Sequence, residues 1–473
     1  MSNQIEGIEK LLTKRTVRTK KERKRYGKSL RKAVPRNVFA GWQSGPGRPD
    51  PVELIFGQDE QRVSALVPIR HERMSVSPFT FYRGAALVMA SDLSWMPTTG
   101  IEVQLCGDAH VSNFGVFLSP ERRTIFDIND FDETMRGPWE WDVARLAASI
   151  EICGRDRAFS SKQTRKAVLA TVRGYREAMR GFAEMGNLEV WYAHADVEKL
   201  LKSFGKEASK QSRKSVKQGI KHSQKKNSAR AVRKFTEVVD GKLRIVSDPP
   251  IIVPIRDIAS EVGVTVPEDV DMASAVSVVL QEYEKTLSPE RAALVRSYRG
   301  VDVAHKVVGV GSVGLRAWVV VLEGADSSDP LVLQVKEAGP SVLERYVGKA
   351  PQPNHGQRVV EGQHAIQSAS DMLLGWTSLP SIDGSTRDYY VRQLWDGKGS
   401  VGLDSIKEEQ LQMLGRLCGW TLAHAHARTG DRFAIAAYLG KSDEFDEAMA
   451  DFSVTYADQN DKDYASFIAA IEQ

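Results

Sequence analysis

The segment Leu105-Cys106-Gly107-Asp108-Ala109-His110-Val111-Ser112-Asn113-Phe114 sets an aspartate and an asparagine five residues apart. An acidic run, Phe126-Asp127-Ile128-Asn129-Asp130-Phe131-Asp132-Glu133, follows, with Asp127 fourteen residues after Asn113. An Asp to take or orient a proton, an Asn to hold a metal and a later Asp on the same metal are what phosphoryl transfer from a nucleotide requires. Such a set also needs a cation and a loop for the phosphates. Candidates for both lie about two hundred residues downstream. A fold that uses both halves must bring them together in space.

The downstream half begins at Val308-Gly309-Val310-Gly311-Ser312-Val313-Gly314, which fits G-x-G-x-x-G. The pattern alone is weakly specific. A dinucleotide fold would open a helix at the last glycine, but Leu315 to Val321 reads as a strand. A glycine loop between antiparallel strands can instead lie over phosphates, as in kinases. Gly309, Gly311, Ser312 and Gly314 are therefore candidate phosphate-covering residues. Lys336 ends an apolar strand 22 residues past Gly314 and is the candidate for the α- and β-phosphates. Glu361 is the expected carboxylate to hold it, with Glu344 as the alternative. An ordinary surface lysine at a strand end is the plainer reading of Lys336.

In the first half, Asp108 would orient or deprotonate an acceptor hydroxyl. Asn113 and Asp127 would ligate magnesium, with Asp130 as a second ligand or orienter. His110 would brace the loop or bind a phosphate. Against these stand turn or cap roles for Asp108 and Asn113, and a solvated loop or calcium site for the acidic run. Asp127, Asp130 and Asp132 do alternate like oxygen ligands, but the Gly and terminal Glu spacing of an EF-hand is absent.

With 473 residues the chain should form two or three domains or lobes. Its 42% hydrophobic and 27% charged content is ordinary for a soluble globular protein, and a net charge of +4 excludes a polycation. Cys106, Cys153 and Cys418 are too few and scattered for a disulfide framework or zinc site, which suits a reducing cytosol. A charged N-terminus without an apolar core argues against a signal peptide. No apolar run reaches 18 residues, so no transmembrane helix is expected. These features predict a cytoplasmic protein with no membrane partner.

The expected organisation is a basic arm and connector over 1–50, a helical region over 51–298, a β-rich domain over 299–395 and a helical return over 396–473. Basic segments 10–36 and 202–234 are candidate contacts for nucleic acid or an acidic partner. Solvated helices are the plainer reading of both. Periodicity predicts strands at Ser64–Ile69, 101–106, Ile125–Ile128, Val301–Val310, Leu315–Leu322, Leu331–Val335 and Tyr389–Leu394. It predicts helices over Thr80–Asp92, 139–155, 160–186, 268–298, 357–374, 406–428 and 441–473.

Gly107-Asp108-Ala109-His110-Val111-Ser112-Asn113-Phe114, Phe126-Asp127-Ile128-Asn129-Asp130 and Gly137-Pro138-Trp139-Glu140-Trp141-Asp142-Val143-Ala144-Arg145-Leu146 together resemble the catalytic region of aminoglycoside and choline phosphotransferases. More closely, Arg48-Pro49-Asp50-Pro51-Val52, Arg83-Gly84-Ala85-Ala86, Phe126-Asp127 and Trp141-Asp142 resemble DUF2252, an uncharacterised bacterial family. That likeness extends to Ala457-Asp458-Gln459-Asn460-Asp461. The first resemblance implies a two-lobed, protein-kinase-like α+β fold and an ATP- and magnesium-dependent phosphotransferase. It also implies a structural Asp142 that caps the Asp108 loop. In kinase-like chains, however, the glycine loop and lysine precede the catalytic loop. Here they follow it, with Tyr390 to Trp395 as a hinge candidate and Leu411 to Arg428 as the helix usually upstream of that loop. A circular permutation is therefore expected, which is tolerable when termini lie close at the surface. Two rivals remain open. One is an inactive nucleotide-, nucleic-acid- or partner-binding protein. The other is a metal-dependent phosphoesterase. The acceptor stays undefined, and nucleotidyl transfer is also possible.

Overall fold

The β-branched runs after residue 298 pair as antiparallel strands. β9 (Arg299–Lys306), β10 (Ala317–Glu323) and β11 (Pro330–Ala338) join β12 (Gly375–Pro380), β13 (Thr386–Gln393) and β8 (Ile252–Pro254) in a six-stranded sheet ordered β12-β13-β11-β10-β9-β8. The computed structural model describes residues 18–45, 47–196, 228–239, 242–257, 272–307, 309–380, 385–394 and 397–472. Period-two alternation divides the sheet's side chains between two cores. Val320, Leu322, Leu331, Leu333 and Val335 pack on one side with Val276, Leu280 and Tyr283. Val319, Val321 and Val332 pack on the other with Ala231, Val232 and Phe235. Lys336 shares the face of Val332 and pairs in register with Ala317 and Tyr390.

In the first half, two hairpin pairings are nested. β1 (Glu102–Leu105) pairs with β4 (Met135–Pro138), and between them β2 (Phe114–Leu118) pairs with β3 (Thr124–Ile128). The nesting sets the Asp108 loop beside the acidic loop. β2 was not anticipated: its glycine and short length hide the alternation. β14 (Gly399–Ser400), β2, β3 and β5 (Ala195–Asp196) form a four-stranded sheet, and β6 (Thr236–Val239) pairs with β7 (Lys242–Ile245).

Helices α1 (Lys20–Ala33), α2 (Pro51–Asp59), α3 (Val67–Ser75), α4 (Pro78–Gly84) and α5 (Ala86–Leu93) precede the nested strands, and α6 (Trp139–Asp156) and α7 (Ser161–Phe182) follow them. α8 (Met272–Glu284) and α9 (Pro289–Arg296) precede β9, and α10 (His355–Ile366) lies between β11 and β12. α11 (Glu408–Thr429), α12 (Arg432–Leu439) and α13 (Glu444–Ile471) end the chain. Four expectations fail. The helix over 268–298 divides before Pro289 into α8 and α9, and 268–271 lie outside the described residues. Ser64–Ile69 is no strand: a short 3-10 turn leads into α3, whose second residue is Pro68, a natural helix opener. The helix expected over Thr80–Asp92 breaks at Ala85. The helix over 357–374 stops at Ile366, where Gln367 turns extended and its side-chain Nε2 donates to the carbonyl of Ile128, 2.6 Å away.

α6 is buried along nearly its whole length and shares one core with α7, α11 and α13. Gly419 permits the closest approach: a Cβ there would lie 2.1 Å from the carbonyl oxygen of Thr171 on α7. The described part of the first basic segment is no free arm. α1 docks on α12, Arg23 pairs with Asp431 at 2.8 Å, and Arg31 and Arg36 donate to carbonyls ending α12. Of the second basic segment, 202–227 lie outside the described residues. Arg48 forks between Asp92 and Asp463, tying the connector to the last helix. The fold is thus mixed α+β with antiparallel sheets, and no helix among the described residues is long and apolar enough to cross a membrane.

Candidate functional site

Asp142, in the first turn of α6, accepts the backbone amides of Cys106 (2.8 Å) and Gly107 (3.1 Å). His426 of α11 approaches the same carboxylate at 3.3 Å and is itself held by the Tyr175 hydroxyl. This fixes the start of the Asp108 loop. Gly107 has φ +83°, and a Cβ there would lie 2.2 Å from the carbonyl oxygen of Glu133, so only glycine fits between the two loops. Asn113 closes the loop by donating Nδ2 to the Asp108 carbonyl at 2.8 Å.

The Asp108 side chain is one-fifth exposed, and its Oδ1 accepts from Nε of buried Arg145 (2.8 Å) and lies 2.7 Å from its Nη2, which donates to the Tyr82 carbonyl. Arg145 stacks 3.9 Å over the Tyr82 ring. Oδ2 is left facing His110 Nε2 at 3.5 Å. Burial pushes the His110 pKa down to about 3, so its imidazole is neutral at neutral pH, and its Nδ1 has no partner among the described residues. Arg145 was missed in the sequence, although it stands three residues after Asp142, one helical turn along the same face.

The acidic loop divides its carboxylates. Asp127 is buried in β3, where Oδ1 accepts the Ile128 amide (2.9 Å) and Oδ2 the amide and hydroxyl of Ser368 (both 3.1 Å). Burial raises its pKa to about 6. This geometry ties β3 to the end of α10 and does not support Asp127 as a metal ligand. Strand alternation explains the difference: the β2–β3 register sets Phe114 opposite Ile128, and the Asn129 amide donates to Asn113 O at 2.8 Å. The residues emerging beside Asn113 are therefore Asn129 and Asp130.

Asp132 is where the two halves of the chain meet. Lys336 Nζ, buried on β11, donates to Asp132 Oδ2 and, at 2.8 Å, to Ser312 Oγ of the glycine loop. Ser312 also donates to Asp132 Oδ2 at 3.1 Å, and the Tyr390 hydroxyl to Oδ1 at 2.9 Å. Burial opposes the Lys336 charge, but Asp132, Tyr390 and Asp130 outweigh it and hold the pKa above its usual value. The expected partner, Glu361, is exposed on the outer side of α10, with Gln352 and Gln357 on its carboxylate. Glu344 lies beside His355 and the Ser341 amide. The inward residue of α10 is Arg358, which donates to the carbonyls of Asp132, Thr134 and Gly339 at 2.7–2.9 Å.

Two more cations complete the cleft. Lys398 donates to Asn129 O at 2.9 Å, and Arg392 Nε to Gln334 at 3.1 Å. Burial favours a protonated Asp130, but Lys336, Arg392 and Lys398 reverse this and hold its pKa below the ordinary carboxylate value. Burial, reinforced by Arg392, pushes Lys398 down to about 7. Arg392 and Lys398 line a small open pocket of about 50 Å³ with Phe117, Leu118, Asn129, Asp371 and Gln393. Three cations therefore converge on Asp130 and Asp132, an arrangement suited to an anion such as a phosphate.

The glycine loop joins β9 to β10 and leans on α3 and α4. Arg73 donates to Gly309 O at 2.5 Å, the Val63 amide to Gly314 O at 2.9 Å, and Arg62 to Val313 O. Gly309 (φ +72°) and Gly314 (φ +90°) need glycine for their backbone conformation. Of the residues singled out in the sequence, the fold gathers Ser312, Lys336 and Asp130 at one centre. Asp108, His110 and Asn113 lie on the adjoining loop, joined through the Gly107–Glu133 contact. Glu133 carries the signature of both loops: burial raises its pKa to about 7, and Asp132 and Asp108 add to the rise.

Fold and site define a mixed α+β protein in which a β-sheet lysine and an acidic loop form one charged cleft. The chain belongs to the DUF2252 family, described as an uncharacterized protein conserved in bacteria, whose model matches residues 62–470. Neither a curated protein nor a solved structure gave a match.

Proposed function

We propose that this protein is an ATP- and magnesium-dependent phosphotransferase with a kinase-like, circularly permuted arrangement. The observation that carries the reading is the Lys336–Ser312–Asp132 junction, where a strand lysine, the glycine loop and the acidic loop meet. The strand order supports it. Beside the edge strand β8, a glycine loop links β9 to β10, a buried lysine stands on β11, and a helix follows before β12 and β13. That is the kinase disposition of phosphate-binding parts, here located after the Asp108 loop in the chain.

The donor set fits magnesium. Among the described residues no cluster of three or more His, Cys, Asp or Glu could hold a metal. Magnesium, however, is usually bound by one or two carboxylates together with substrate phosphates, and not by an all-protein cage. Asn113 and Asp130, from the two strand ends joined by the Asn129–Asn113 backbone hydrogen bond, would supply that partial set. When bound, the metal would neutralise charge on the phosphates. Lys336 would bind α- and β-phosphate oxygens, with Ser312 and the glycine loop over them. Asp108, pinned through Oδ1 by Arg145, would present Oδ2 to the acceptor hydroxyl. Positioning and fixed charge do most of the work in such a reaction.

Calorimetric titration with MgATP tests the reading. Binding is expected for the wild type and a loss of at least tenfold in affinity for Lys336→Met. A folded wild type that binds no MgATP overturns it.

A further inference from the structure

Arg83, in the last turn of α4, has no role in the site as described so far. Its Nε is buried without a partner, and among the described residues no carboxylate pairs with its guanidinium. The neighbouring arginine positions behave differently. Arg70 pairs with Asp59, and Arg145 with Asp108. The backbone of Arg83 touches the tip of the glycine loop: a Cβ on Gly311 would lie 3.2 Å from the Arg83 carbonyl oxygen. Its charge reaches the Asp108 loop as well, acting on Asp108 and His110. Asp404, exposed at the edge, is the other carboxylate near it. Arg83 thus stands between the loop proposed to cover the phosphates and the aspartate proposed to face the acceptor.

We infer that Arg83 is a catalytic residue whose guanidinium binds the phosphoryl group in flight; the inference rests on the phosphotransferase reading. The bond from the terminal phosphorus to the bridging oxygen of the nucleoside triphosphate breaks, and the diphosphate leaves with that electron pair. A bond to the acceptor hydroxyl oxygen forms, and the hydroxyl proton passes to Asp108 Oδ2. Between these events charge is spread over the three equatorial oxygens of the transferring group, and a guanidinium is shaped to hold two of them at once. An arginine supplied in this way accelerates phosphoryl transfer by about 10³- to 10⁵-fold in other phosphotransferring sites.

Affinity for MgADP with and without aluminium fluoride, a mimic of the transferring phosphoryl group, tests this without an identified acceptor. The wild type is expected to bind MgADP at least tenfold tighter when fluoroaluminate is present. Arg83→Met should keep the MgADP affinity within twofold and lose that gain, and Arg83→Lys should keep part of it. A gain that persists in Arg83→Met, or one absent from the wild type, overturns the role of Arg83. So does an equal loss of MgADP affinity in both variants, which marks a structural arginine. A wild type that binds no MgADP overturns the phosphotransferase reading itself.

Discussion

Lys336 pairs with Asp132, a residue 204 positions earlier in the chain. The contact fastens the β9–β13 sheet to the acidic loop, and Ser312 and the Tyr390 hydroxyl share the same carboxylate. A buried lysine without that partner would be expelled or neutralised. The pair therefore constrains the fold as much as it shapes the cleft.

Breaking it should cost stability. Lys336→Met leaves Asp132 with only neutral donors and is expected to destabilise the protein by about 3–5 kcal/mol. Adding Asp132→Asn should recover part of the loss, giving a coupling of about 1 kcal/mol or more in a double-mutant cycle by urea denaturation. Strict additivity of the two changes would show that the pair contributes no coupling.

Asp127 and Asp130 should separate cleanly. Asp130→Asn is expected to lower magnesium-dependent nucleotide affinity at least tenfold, and Asp127→Asn to leave it within twofold. Asp127 has its own signature in stability. Its carboxyl holds a proton to about pH 6 in the folded protein, against an ordinary value of 3.8. The folded state thus binds the extra proton between these values, and stability from this group falls as pH rises through that window. Melting curves from pH 4 to 7 should show that decline in the wild type and not in Asp127→Asn.

Lys398 gives the cleft a pH dependence of opposite origin. Its pKa falls from 10.5 to about 7 in the folded protein. An anionic ligand favours the protonated lysine, so affinity should be flat below pH 7 and fall by up to about tenfold per unit above it. Between pH 7 and 10.5 the unfolded chain binds the extra proton, so the stability contributed by this group rises with pH. Nucleotide titrations at pH 6, 7 and 8 should show the loss of affinity, and Lys398→Met should remove the slope.

Asp108→Asn tests the acceptor side. Arg145 retains a partner oxygen, so nucleotide affinity is expected to stay within about twofold while turnover, read as ADP release, drops at least a hundredfold. Unimpaired turnover would take Asp108 out of the reaction.

Asp142→Ala should act on the framework. It strips the amides of Cys106 and Gly107 of their acceptor in a buried site and is expected to cost about 2–4 kcal/mol. A thermal melt unchanged from wild type would contradict the capping role.

Much of this arrangement could be read from local pattern. Period-two apolar runs marked β9, β10, β11 and β13, and helical periodicity marked α6, α7, α11 and α13, because each buries a face whose repeat is written in adjacent residues. The spacing of Asp108, Asn113 and Asp130 and the glycine triplet could be picked out because they are short motifs of adjacent residues. Partners were not. Nothing local distinguishes Asp127 from Asp130 and Asp132 in an acidic run; the β2–β3 register does, by turning Asp127 toward Ser368. Nothing in Val359-Val360-Glu361 says that Glu361 faces outward and Arg358 inward. That depends on how α10 rolls against β13 and the acidic loop.

The sequence by itself determined the long periodic elements, the residue types and the separation of two motifs by about two hundred positions. The tertiary structure alone decided which carboxylate meets Lys336, which cations line the cleft and which arginine has no carboxylate partner among the described residues. Local periodicity is set by neighbours along the chain, whereas a buried charge is satisfied by whatever the packed surfaces bring to it, and only the assembled fold fixes that.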